Sequence, residues 1–493
     1  MSLSQHEDVE ASASATPTAL ATNTQTADNA NDPAPSPPFG LKWRCSYSFT
    51  TLIVGLGVAT DLLVYSIIIP VMPFQLERLG YHSVSALTGW LLFAYSAGLV
   101  LCTIPIAMLS ERYNTRRAPL IAGLVLLIGS QVMLMEAPNY PVMAVARVLQ
   151  GVGSTMVWVV GLALLCDSTP EKFIGRQLGL AMSGMAIGFL AGPPVGGALY
   201  SRFGFRGPFI CGIAISVFDL VGRLLIVERK DALKWGIDPA AAPVEGADVE
   251  AGGGDAEKTS AGGSPDRTPT PLAPAQGSEH DHTTVSLVGV MARLCRSPRA
   301  GVAIAITFLY GIVYSTQEPT LPLHLQDVWG LNSSKVGLVY LAGVVPTFFS
   351  APIAGWYSDT RGVEWLSVIC IALALPWWVV MVVQRSLALF IVAYGLGSFF
   401  ISGLISPIMA ELAAVSRGIE GVGYGHVYGA FNLVYGIVGP VVGGQMYAHL
   451  KAGWLAINLL AAGFLVLCLG LTFCYTGDDP LLAKLMRRLR KVD

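Results

Sequence analysis

Two carboxylates stand in otherwise apolar stretches, each a helical turn from tyrosine. Asp61 precedes Tyr65 by four residues, and Glu318 follows Tyr314 by four and Tyr310 by eight. Spacings of four put side chains on one face of a helix. An acid surrounded by hydrocarbon is costly to leave ionised and alone, so it is expected to hold a proton, a cation or a buried basic partner. Tyrosine faces beside a carboxylate favour a cation, through charge and through the ring quadrupole. If proton and cation compete for one carboxylate, occupancy is exclusive and the two must exchange. Asp61, Tyr65, Tyr310, Tyr314 and Glu318 are therefore the first candidate binding residues.

Other polar groups are fewer. Arg147, with Gln150 three residues on, is a lone cation in an apolar run and needs carbonyls or a carboxylate around it. Asp219 and Arg223 form an i,i+4 pair that reads as structural. Glu136 and Glu411 stand at the ends of apolar runs, where they are expected to reach water. Trp158 is a cavity candidate, as are Tyr428, Asn432 and Tyr435, which share a helical face; ordinary packing explains each equally well. His280 and His282 read as a solvated run. The eight Cys form no CxxC and no metal-like cluster, so neither a disulfide framework nor a bound metal is expected. No nucleotide-binding loop is present, and no cofactor is expected.

The elements that must position these residues are membrane helices. Of 493 residues 53% are hydrophobic and 13% charged, against about a quarter charged in ordinary globular chains. The mean hydropathy is +0.59. A net charge of −2 offers no basic surface for nucleic acid. Apolar runs of about 20 residues, the length that crosses a bilayer, lie near 48–73, 86–108, 118–136, 141–166, 176–200 and 207–227. A second set lies near 299–322, 335–357, 365–383, 387–411, 423–448 and 451–475. The expected organisation is a disordered N-tail (1–47), a six-helix bundle (48–227), a largely disordered linker (228–298), a second bundle (299–475) and a basic, amphipathic C-tail (476–493). No leader with a basic start and apolar core is expected. In this topology 22 of the 30 Lys and Arg fall on the side of the termini and 6 on the other. The excess places both termini in the cytoplasm.

The two sets repeat each other. Pro70-Val71-Met72-Pro73 matches Pro319-Thr320-Leu321-Pro322 at an offset of 249, and Glu111 matches Asp359 at 248. Gly192-Pro193-Pro194-Val195-Gly196-Gly197 matches Gly439-Pro440-Val441-Val442-Gly443-Gly444 at 247. Parallel six-helix halves with a site between them at mid-membrane are a transporter architecture. Gly184, Gly188, Gly192 and Gly196 form a smooth stripe suited to close helix contact, and Gly421, Gly425 and Gly429 begin a similar one. The stripe reads either as static packing or as a surface on which the helices slide, with Pro193 and Pro440 bending them.

Residues 107–117, Ala-Met-Leu-Ser-Glu-Arg-Tyr-Asn-Thr-Arg-Arg, resemble the loop 2–3 motif of the major facilitator superfamily, with Ala107 and Asn114 replacing two glycines. Arg147-Val-Leu-Gln-Gly-Val-Gly153 resembles its span 4 motif, and Ala191-Gly-Pro-Pro-Val-Gly-Gly197 the span 5 motif of its antiporters. The chain looks most like the twelve-span drug:proton antiporters, and especially the vesicular monoamine transporter-like branch, through 61–73, 190–197 and Glu318-Pro319-Thr320. Low-complexity tail and linker are fungal in style. The resemblance implies an all-α integral membrane fold, twelve transmembrane helices as two pseudo-symmetric six-helix bundles. It also implies a proton-relay part for Arg147 and Gln150, and a cytoplasmic latch of Glu111, Arg112 and Asp359. Where that branch carries acids in spans 10 and 11, this chain has Ser402 and Asn432, which fits a relative with fewer proton-coupled acids.

The function these readings imply is secondary active transport. An organic, cationic or amphipathic small molecule would be exported or loaded into vesicles in exchange for protons, across the plasma membrane or a vacuolar or vesicular one, by a monomer. A proton symporter of a nutrient or organic anion shares the fold, as does a sensor that binds without flux. A membrane enzyme fits least, for want of a nucleophile–base arrangement.

Overall fold

The computed structural model describes residues 38–112, 115–170, 173–241, 298–405, 407–408, 411, 438–477 and 480–490; for Glu111, Arg112 and Asp359 it describes the backbone alone. From Lys42 onward the chain packs as one unit. Every regular element among the described residues is helical. Nine helices are long and apolar enough to cross a membrane, with Arg299–Ser315 and Leu387–Ser402 shorter apolar helices among the described residues. Their outer faces carry large apolar side chains, among them Phe218 at 67% exposure and Trp356 at 68%. Water would penalise such a surface, whereas lipid solvates it. The chain is an integral, multi-pass membrane protein.

Spans 1 and 7 share one construction. Span 1 is helical over Tyr47–Ser66, turns through 67–71 and resumes as Met72–Arg78. Span 7 is helical over Pro298–Ser315, turns through 316–320 and resumes as Leu321–Trp329. The cause is the repeated proline pair. Pro70 and Pro319 have no N–H to donate to the preceding turn, while Pro73 and Pro322 sit in the first turn of the following helix, where that donor is dispensable. Equivalent residues in the two breaks are 249 apart. Glu318 thus lies in a turn, its N–H donating to the Ser315 carbonyl at 3.3 Å. It does not continue the helical face of Tyr310 and Tyr314, because Pro319 ends that helix.

Glycines set the approach of the other helices. Gly184, Gly188, Gly192 and Gly196 of span 5 (Ile174–Phe203) face Gly55, Ala59, Ser66 and Ile67 of span 1, so closely that a Cβ would meet span 1 atoms. The stripe therefore seats span 1 inside its own half; it is not the surface between halves. Gly439 and Gly443 (helix Gly439–His449) repeat this against Ser315 and Thr316 of span 7. Gly421, Gly425 and Gly429, like Tyr428, Asn432 and Tyr435, lie outside the described residues.

The adjacent face of the same helices joins the halves. Gly337 in span 8 (Ser333–Arg361) meets the Pro193 carbonyl, and its counterpart Gly89 in span 2 (Val84–Arg112) meets that of Pro440. Ser333 Oγ donates to the Pro70 carbonyl at 3.1 Å, Ser85 Oγ to that of Gly444 at 3.0 Å, and Gln326 Nε2 to Glu77 Oε2 at 2.7 Å. All these contacts lie at the end of the bundle away from the termini, the distal end, which they close.

The opposite end, the terminal face, is pinned by ion pairs within each half. Glu228 accepts the backbone N–H of Arg116 at 3.0 Å and that of Arg117, at the start of span 3 (Arg117–Met135), and pairs with Lys230 at 2.9 Å. Arg116 pairs with Asp167 at 3.0 Å. The linker begins ordered, with a helix at Arg229–Leu233 and Arg229 gripping Asp238 at 2.8 and 2.9 Å. That guanidinium holds the Asp238 carboxyl below its ordinary range. Residues 242–297 lie outside the described ones. The C-tail forms an amphipathic helix, Leu481–Leu489.

Glu411 does not reach water as expected at a span end. It is buried, gripped by both Arg299 Nε and Nη2 (the latter at 2.8 Å), and accepts the Gly477 N–H at 3.0 Å. Removing the Arg299 guanidinium strands a buried carboxylate, a loss of about 3–5 kcal/mol. Arg299→Ala is thus expected to lower the melting temperature of the detergent-purified protein, read by a thiol-reactive dye as buried cysteines are exposed. An unchanged melting temperature contradicts this account of the terminal face.

Candidate functional site

The site is built where span 4 crosses spans 1 and 2. The glycines of the span 4 motif decide that crossing: Gly151 lies against the backbone of Tyr95 in span 2, and Gly153 against Gly123 in span 3. With no side chain in the way the helices come close. Ser154 is thereby brought to Tyr95. Beyond it, Met156–Val160 forms a π-helical turn inside the span Tyr140–Ser168. Such one-turn insertions recur at functional sites because they re-aim side chains. Here the re-aimed side chain is Trp158.

Asp61 is completely buried and sits at the focus of this crossing. Its Oδ2 accepts from Ser154 Oγ at 2.6 Å, Trp158 Nε1 at 2.9 Å and the Tyr95 hydroxyl at 3.3 Å. Tyr95 and Ser154 are also within 2.7 Å of each other. Its other oxygen, Oδ1, has no hydrogen-bond partner among the described residues. Three donors on one oxygen and none on the second make a carboxylate that is held in place yet retains an acceptor for a proton or cation.

Glu318 is 8% exposed. It reaches across the halves, accepting the Tyr65 hydroxyl on Oε2 at 2.7 Å. Its backbone carbonyl receives the Tyr340 hydroxyl at 3.4 Å. Tyr310 and Tyr314 stack at 6.4 Å between ring centroids; Tyr310 is buried in the cluster that also holds Tyr65 and Tyr95, while Tyr314 is half-buried. Tyr310 thus shares a buried cluster with Tyr65 and not a helical face with Glu318, since its helix ends at Ser315. The contact that reaches Glu318 comes instead from Tyr65.

Arg147 joins the two acids. Fully buried, its guanidinium carbon lies 5.4 Å from the Tyr65 ring centroid and 5.1 Å from that of Tyr95. Nη1 donates to Gln150 Oε1 at 2.7 Å and Nε to the Leu91 carbonyl at 3.4 Å. A polar and aromatic path thus runs from Glu318 through Tyr65, Arg147 and Tyr95 to Asp61. Ring faces, an amide oxygen and a carbonyl solvate the cation here.

Asp61, Tyr65, Glu318, Trp158, Arg147 and Gln150 are therefore gathered in one place. Tyr95, Ser154 and Tyr340 join them without having been singled out from the sequence; Ser154 follows directly on the span 4 motif, and the others carried no signal. The latch residues Glu111, Arg112 and Asp359 fall at the terminal ends of spans 2 and 8, their side chains outside the described set. Asp219 and Arg223 pair at 3.2 Å inside the first half, away from the face shared with the second.

The model of the major facilitator superfamily matches residues 54–298 and 303–490. The chain belongs to that family and is a membrane transporter by family. It is 25% identical over 443 residues, 84% of its length and 92% of the relative's, to the MFS-type transporter ppzB of Metarhizium rileyi. It is 24% identical over 398 residues, 77% of its length and 65% of the relative's, to the synaptic vesicular amine transporter of Rattus norvegicus. Among solved structures, a bacterial homolog to the human lysosomal transporter Spinster, inward-facing and unoccupied, superposes with a TM-score of 0.62 at 14% identity, covering 89% of this chain and 97% of that one.

Members of the family carry small molecules, which gives the Arg147 arrangement a measurable consequence. A lysine ammonium is one compact point charge; it cannot lie across two rings and donate in plane to Gln150 together. Each cation–π contact of a desolvated charge is worth about 2 kcal/mol. Arg147→Lys is therefore expected to lower initial transport rate by at least about tenfold, while the protein elutes unchanged on gel filtration. Wild-type rates in that variant contradict the assignment.

Proposed function

We propose that the chain exchanges protons for an organic cation by alternating access, with both termini in the cytoplasm and the distal end facing outside or into a vesicle. The carrying observation is the placement of one buried carboxylate on each half, Asp61 and Glu318, linked by tyrosine faces and one arginine. Tyrosine rings and a carboxylate suit an amine or quaternary ammonium group, and relatives named as vesicular amine and acetylcholine transporters point the same way. Because each acid holds either a proton or the cation, return of the empty carrier requires protonation, and the gradient is the energy source, with no bound cofactor. The unit of function is the monomer, in the plasma membrane or a vacuolar or vesicular one.

The test is accumulation by proteoliposomes with an acidic interior of labelled tyramine, tetraethylammonium and ethidium. Accumulation of at least one, abolished by a protonophore, is the expected result. Folded protein that accumulates none overturns the cation reading.

A further inference from the structure

Arg223 has no evident reason to be where it is if it only balances Asp219. The side chain is 2% exposed, and only Nε engages Asp219, at 3.2 and 3.3 Å; Nη1 and Nη2 have no hydrogen-bond partner among the described residues. Both point at glycines. A Cβ on Gly57 of span 1 would strike Nη2, and one on Gly161 of span 4 would lie 3.9 Å from Nη1. Gly57 is one turn before Asp61, and Gly161 one turn after Trp158, which binds Asp61. Span 1 and span 4 therefore present Asp61 on one turn and the Arg223 guanidinium on the next, about 6 Å along the helix axis, toward the terminal face. Asp61 Oδ1 is likewise without a hydrogen-bond partner among the described residues. Buried donors and acceptors that lack protein partners are met by ordered water in folded proteins. Arg223 stands in the last turn of span 6 (Arg206–Leu225), where the chain emerges at the terminal face.

We propose that Asp219 and Arg223 form the proton's exit from Asp61 to the terminal face, a route inside the first half and separate from the cation's route between the halves. The inference rests on the proton-exchange reading above. The Asp61 carboxyl gives its proton to a bridging water held by the Arg223 N–H groups. That water passes a proton to the Asp219 carboxylate, which releases it to the aqueous side. Arg223 stays protonated throughout and acts as a positioning residue. Arg223 Nη2 fills the notch that Gly57 leaves, while Gly161 leaves room for an atom beside Nη1.

The experiment separates proton movement from carriage. Wild type and the paired variant Asp219→Asn with Arg223→Gln, which leaves no uncompensated charge, are reconstituted with the same tyramine, tetraethylammonium and ethidium panel. Accumulation driven by pH is compared with counterflow, the exchange of labelled for unlabelled cation at equal pH, which needs no net proton. Expected is a loss of about a hundredfold in pH-driven accumulation, with counterflow retained within about twofold of wild type. Retention of both activities overturns the route. Loss of both in equal measure also overturns it and makes the pair purely structural. Wild type that performs counterflow without pH-driven accumulation refutes proton exchange itself, and this route with it.

Discussion

Glu318→Gln is expected to reduce pH-driven cation accumulation by at least about a hundredfold without unfolding the protein. The amide keeps an oxygen for the Tyr65 hydroxyl, which now bridges the halves at 2.7 Å, and fills the same space. What it loses is the negative charge and the ability to take up a proton. A unit charge about 4 Å from a bound cation contributes about 4 kcal/mol at an effective dielectric of about 20, which is roughly a thousandfold in binding. Tyr65→Phe makes a useful contrast. It removes one hydrogen bond to a charged group, about 1.5–3 kcal/mol, and keeps the ring over Arg147, so it is expected to weaken accumulation by only about tenfold or somewhat more. Proteoliposome accumulation with both variants checks the order. Equal losses would mean that the inter-half bond, and not the charge, is what matters at Glu318.

A side chain at Gly89 or Gly337 is expected to hold the distal end open. These two residues are 248 apart and occupy equivalent places, each against a proline carbonyl of the other half. Added side-chain atoms there have backbone on the far side and nowhere to go. Overpacking costs about 1–3 kcal/mol per site, and it is levied only on the state in which the distal end is closed. Gly89→Leu with Gly337→Leu is therefore expected to move the equilibrium toward the distal-open state by about a hundredfold or more, and to cut transport at least about tenfold. Spin labels on cysteines at positions 77 and 326, where Gln326 now donates to Glu77 at 2.7 Å, read the separation directly. An unchanged distance distribution would show that these glycines do not limit closure.

Much of this protein was legible before folding because a bilayer imposes severe rules on sequence. A spanning helix needs a long apolar run, so most of the helices were visible, and the doubled proline pair marked the breaks in spans 1 and 7. An ionisable group in hydrocarbon is rare enough to announce itself, which is why Asp61, Glu318 and Arg147 stood out. The spacing of four residues nonetheless misplaced Glu318, because a helical face does not pass through a proline break. Nor did spacing say that Glu411 would be buried under Arg299, since a span end looks the same whether it meets water or a folded-back arginine.

What only the tertiary structure decided is partnership. The glycine stripe of span 5 was plain as a smooth face, but its partner, span 1, depends on which helix lies alongside. Tyr95 and Ser154 became ligands of Asp61 because Gly151 and Gly153 let spans 2, 3 and 4 close to backbone contact, and Trp158 because a π turn rotates it. Hydrophobicity is a property each residue brings alone, so the bilayer's demands are written locally along the chain. A hydrogen-bonding partner is a property of two helices in a particular crossing, settled by packing between segments far apart in sequence. The sequence by itself therefore determined the spans, the repeat and the residues too costly to be idle, and the packed helices determined which of them touch.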